Sequence, residues 1–141
     1  RHLCSGGDAC TAGGNGNGVI NGDWDASGGV ESVRFWQHVR LANLMTGSTD
    51  PDDPGFLPRN ALGGRLGIQR GNSVLGVPGS LVVCSDAIPG KLVRQLDIAL
   101  DDGDPARGSL RAGTAGATGL VASSADNPLD DASSHTVCAS L

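Results

Sequence analysis

Three features of this chain predict an α+β fold. Two stretches, 30–46 and 88–100, carry apolar residues at helical spacing. Several short apolar runs, at 60–68, 73–77, 81–84, 108–112 and 134–140, have the length of strands. Gly, Asn, Asp and Ser fill what lies between them. The expected architecture is one domain, residues 1–141: a short-stranded antiparallel sheet, two helices and long Gly/Ser/Asp loops, stapled by disulfides.

Residues 1–29 show almost no regular pattern, and Gly13 to Gly18 is a run that tolerates left-handed backbone. The first helix is expected over 30–46. Glu31 in its first turn suits the helix dipole, and Gly47 sits just past its end. Phe35, Trp36, Val39, Ala42 and Met45 recur at three- and four-residue steps and predict its buried face. This helix holds two of only four aromatic residues in the chain, and each ring can bury roughly 150–250 Å².

A Pro/Asp-rich loop follows, centred on Asp50 to Gly55. Asn60 to Ile68 reads as a strand weakened by glycines, Gly71-Asn72 as a turn, Ser73 to Val77 as a second strand, and Leu81 to Cys84 as the clearest apolar strand. Pro89 opens the second helix. Leu92, Leu96, Ala99 and Leu100 predict its buried stripe, while Arg94 and Asp97 are expected on a solvated face. Asp101 to Pro105 stops it. Gly108 to Ala112 reads as a short strand, 113–133 as loop, and Ser134 to Ser140 as a closing strand that returns Cys138 to the sheet.

Hydrophobic residues make up 38% of the chain and Gly 23 residues, against about 45–50% apolar in ordinary globular chains. The core should be thin. Net charge is −5, with nine Arg and a single Lys, which argues against a nucleic-acid-binding stripe. No run is long and apolar enough to span a membrane. The sequence opens on Arg1 without a signal-peptide pattern, so we expect it to begin after processing, a proteolytic cut or a trimmed boundary, with something upstream.

Cys4, Cys10, Cys84 and Cys138 lack CxxC spacing, and His2, His38 and His135 are scattered. Zinc is therefore disfavoured, and disulfides in an oxidising compartment are favoured. Of the three connectivities, we favour Cys4–Cys10, close in sequence, with Cys84–Cys138. The latter would close a loop worth roughly 4 kcal/mol on the chain-entropy model.

Four segments taken together resemble the globular heads of bacterial type IV pilins and pseudopilins. They are Gly16 to Gly22 (GNGVING), the Glu31 to Ala42 stretch with Phe35-Trp36-Gln37-His38, Asn60 to Arg65 (NALGGR), and Val83 to Gly103 with its LDDG ending, continuing to Ala112. The similarity runs in order over roughly positions 14–112. It implies an antiparallel sheet wrapped on a long amino-terminal helix, and a carboxy-terminal loop pinned by a disulfide, for which Cys84 and Cys138 are placed. The long hydrophobic helix is not in this sequence. The expectation is that it comes from upstream or from a separate short polypeptide, as in split pilins, and that Leu66, Ile68, Leu81 and Val83 flank the surface awaiting it.

The function implied is structural: a subunit of an extracellular filament, polymerising with other copies through that helix and touching a membrane only through it. Before assembly the subunit would sit on the periplasmic side of the inner membrane. Adhesion, motility or DNA uptake would depend on the outer loops 1–29, 47–60 and 113–133. The alternative is a secreted, calcium-dependent binding or adhesin module. Its basis is a likeness to half of an EF-hand or dockerin-type loop. With Gly13 as position 1, Asn15, Asn17, the Val19 carbonyl and Asn21 fall in register. Position 12 is Trp24, so Asp23 or Asp25 would supply the acid. Asp101, Asp102 and Asp104 form a second acidic cluster, readable as a helix stop or as a cation site. No nucleophile elbow or HExxH motif is present, and catalysis is not expected.

Overall fold

The computed structural model describes residues 13–141. In chain order it holds α1 (Glu31–Leu41), β1 (Leu66–Arg70), β2 (Leu81–Pro89), α2 (Gly90–Leu100), β3 (Leu110–Gly116), β4 (Gly119–Ala122) and β5 (Ser134–Ser140). The strands form one curled antiparallel sheet in the order β1-β2-β5-β3-β4. The last strand of the chain therefore lies at the sheet's centre and joins the β1–β2 half to the β3–β4 hairpin. Cys84 and Cys138 stand directly opposite each other in the β2–β5 register and are disulfide-bonded. The Cys4–Cys10 pairing lies outside the described residues.

Strand alternation sends side chains to two faces. On one face, Ile68, Val83, Ala139 and Leu110 stand side by side across four strands. α1 lies over the β1 end, packing Val33 and Trp36 with Phe56 on Ile68. α2 lies over the other end, where Val93 packs with Ile88, Leu110, Ala112, Leu129 and Val137. On the opposite face, Val82, Cys84 and Cys138 pack beneath Trp24, Val74 and Val77.

Several elements depart from expectation. α1 stops at Leu41, because Asn43 takes a left-handed conformation (φ 56°) and its N–H and that of Leu44 close back on Arg40 and Val39. Gly47 is not the cap. Asn60 to Gly64 is a turn held by the Asn60 side chain, which accepts from the Leu62 and Gly64 amides. Within β1, Gly67 is required by a close approach: a Cβ there would lie 2.0 Å from the Trp24 carbonyl oxygen. Ser73 to Val77 is not a strand. Leu75 and Gly76 are left-handed, and the segment folds over to plant Val74 and Val77 in the core. The hairpin β3–β4 occupies part of the expected 113–133 loop.

The largest correction concerns α2. Leu92, Leu96 and Leu100 are 39%, 37% and 68% exposed, and the residues turned inward are Gly90, Val93 and Asp97. Helical geometry makes these two sets neighbouring flanks of one cylinder, and the sheet took the narrower one.

Candidate functional site

The face bearing both helices is unevenly covered. Ile68 under α1 and Leu110 near α2 are buried, whereas Leu81, Val83 and Ala139 between them are only half-buried. Among the four residues expected to flank a docking surface, Ile68 is sealed by α1 and does not belong to one. Leu66, Leu81 and Val83 remain partly accessible. Arg94 of α2 reaches the Leu129 carbonyl at 2.6 Å and pairs with Asp131 at 2.8 Å. Leu92 and Leu96 lie on the opposite flank of that helix. Arg94 is thus tied to a loop and is not simply solvated.

The Asn loop docks against the start of α1. Asn21 Oδ1 accepts from the Asn15 and Asn17 side-chain amides at 2.8 and 3.0 Å. Asn15 Oδ1 accepts from the Asn17 N–H, and Asn17 Oδ1 from the Val19 N–H. The Glu31 carboxylate accepts from the Asn15 and Asn21 backbone amides, and these bonds hold it below the usual carboxylate range. The sequence reading missed Glu31 because it stands sixteen residues from Asn15, beyond any loop-motif register. Asp23 and Asp25, the acids expected to close the loop, line a cleft with Trp24.

That cleft, about 720 Å³, lies on the sheet face opposite the helices and is lined also by Arg65, Gln69, Asp86 and Thr136. Its polar groups largely satisfy one another. Gln69 accepts the Trp24 N–H at 3.0 Å, Thr136 donates to Asp86 at 3.0 Å, and Arg65 donates to the Asp25 and Ala26 carbonyls. Burial pushes the Arg65 guanidinium down, partly offset by Asp25. These bonds tie the Trp24–Ala26 segment to Arg65 and Gln69, and β5 to Asp86.

Asp101, Asp102 and Asp104 follow α2. Asp101 accepts from Leu110 N–H at 2.8 Å and Ser109 Oγ at 3.2 Å, fastening the helix end to β3. Asp102 accepts from the Asp104 N–H, and Asp104 pairs loosely with Arg107 at 3.5 Å. Asp97, expected in solvent, is fully buried.

Set against known proteins, the chain matches no family model, no curated protein and no solved structure.

Proposed function

We propose that this domain is the head of a type IV pilin-like filament subunit, assembling through a hydrophobic helix supplied upstream or by a separate chain. The supporting observation is the half-covered strip. Leu81 and Val83 on β2 pack partly against the α1 cluster and Ala139 on β5 against the α2 cluster, yet all three stay half-buried where the two clusters meet. Two strands span roughly 10 Å, close to the roughly 10–12 Å diameter of one helix with its side chains. The Cys84–Cys138 disulfide suits an extracellular location, and the thin core suits a head that gains burial on assembly.

The test is co-expression with a hydrophobic amphipathic helix encoded alongside or upstream, followed by electron microscopy of the native material. Filaments that disappear when Val83 is changed to Asp support the proposal. A domain that stays monomeric in every native preparation, with Val83→Asp inert, overturns it.

A second reading, a secreted calcium-dependent binding module, draws on the convergence of Glu31 with Asn15, Asn17 and Asn21. It is favoured instead if the isolated monomer binds a surface ligand only with calcium present, and if Glu31→Gln abolishes that binding.

A further inference from the structure

The turn that follows α2 carries a feature that the filament reading does not use. Asp97 is 0% exposed, and neither carboxylate oxygen has a hydrogen-bond partner among the described residues. The Gly103 amide favours its charge without making a hydrogen bond to either oxygen. Buried polar atoms are rarely left this way. Protonation would answer only half of this, since a single O–H could turn to a neighbouring carboxylate while the other oxygen still lacks a donor.

Asp97 is not alone. One carboxylate oxygen from each of Asp97, Asp101 and Asp102 lies within 4.8 Å of the others. The spacing i, i+4, i+5 carries all three to the same end of the helix. Asp97 is at the bottom, Asp101 is half-buried and Asp102 is at the surface, so the cluster opens outward from a buried base. No basic side chain pairs with any of the three among the described residues. Burial, then the charges of Asp102, Asp101 and Asp104, push the Asp97 carboxyl up, as expected where like charges converge without a counter-ion. Backbone geometry around the cluster is tight. Gly108 is left-handed (φ 73°), and a Cβ there would sit 2.0 Å from Asp101 Oδ2.

We propose that Asp97, Asp101 and Asp102 bind a hard divalent cation, with calcium as the best fit. The ligands are all oxygen and all anionic, which selects against zinc and copper. Calcium coordinates oxygen at about 2.3–2.6 Å, so oxygens across one shell stand up to about 5 Å apart, and the cluster falls within that span. Magnesium, at about 2.0–2.1 Å, demands a tighter octahedron. The bound ion joins the end of α2 to the start of β3, since Asp101 already holds Ser109 and Leu110. The site is separate from the Asn15 loop and independent of the filament proposal.

The experiment is a calcium titration of the purified, chelator-stripped chain, read by calorimetry and by thermal melting. Wild type is expected to bind calcium at this cluster and to melt higher with it. Asp97→Asn and the exposed Asp102→Asn should each weaken binding at least tenfold. Without calcium, Asp97→Asn should melt above wild type, because a crowded charge is gone; with saturating calcium the order should reverse. A purely structural Asp97 would not give that reversal. Glu31→Gln should keep the calcium response. The proposal is overturned if wild type shows no response at millimolar calcium, or if the response survives Asp102→Asn unchanged. It is overturned equally if Glu31→Gln removes the response.

Discussion

α1 and α2 each run eleven residues, yet α1 buries Ser32, Gln37 and Arg40 beside Val33 and Trp36, whereas α2 leaves Leu92, Leu96, Ile98 and Leu100 in solvent. The difference lies in what surrounds them. The chain after α1 wraps back over it and brings unpaired carbonyls. Gln37 donates to Thr49, and Arg40 donates to Thr46, Ser48 and Phe56 while stacking 5.3 Å from the Phe56 ring. Polar side chains are buried there because each has an acceptor waiting. Among the described residues no wrapping segment buries the leucine flank of α2, and its inward flank must fit the close contact at Gly90, where a Cβ would lie 2.2 Å from the Asp130 carbonyl oxygen. Helix burial is thus set by the partner surface as much as by the helix's own periodicity.

The comparison is broken most strongly at Trp36. Trp36→Ala should cost about 4 kcal/mol, since the ring is 8% exposed and packs edge-on to Phe35 as well as on Phe56 and Ile68. Urea denaturation followed by circular dichroism reads it. A loss near that of a surface residue would mean that α1 is not the anchor. Arg40→Ala should cost about 3 kcal/mol, because carbonyls bound by a buried guanidinium lose their donor; the melting temperature should fall about 10 °C for a chain of this size.

On α2 the same scale should split by flank. Val93→Ala is expected to cost about 2 kcal/mol, its side chain being wholly buried. Leu96→Ser should change the stability of the isolated domain by no more than about 0.5 kcal/mol. If the two cost the same, the leucine flank is covered in solution.

The smallest effect is local and pH-dependent. Glu31's carboxyl is held below its ordinary value of 4.5 by the Asn21 and Asn15 amides. Its contribution is therefore present above the unfolded value and is lost as pH falls through the depressed folded one. Amide resonances of Asn15 and Asn21 should shift together in that acid window, and Glu31→Gln should remove the step. Unchanged resonances in wild type would detach the loop from α1.

Much of this architecture was readable from local pattern. The second helix begins and ends where Pro89 and Asp101 placed it, and β5 occupies its expected residues. Cys84–Cys138 was the favoured pairing, and it spans facing strands. Ser73 to Val77 misled because its short Val-Leu-Gly-Val run has the length and β-branched content of a strand, while the left-handed Leu75 and Gly76 leave no periodic mark. The Asp97 cluster misled for a different reason. An aspartate inside a helix is ordinarily solvated, and only the i, i+4, i+5 spacing with Asp101 and Asp102 hinted that three carboxylates share one end of it.

Residue order settled that two helices and a disulfide-stapled antiparallel sheet would form, because helical spacing, strand alternation and turn chemistry are properties of neighbours in the chain. Which flank of α2 turned inward, that Ile68 would be sealed by α1, and that Glu31 would close on the Asn loop were decided in three dimensions. Each depends on segments far apart in sequence meeting within a few ångströms, where steric fit and unpaired carbonyls or amides outweigh the preferences of any single stretch.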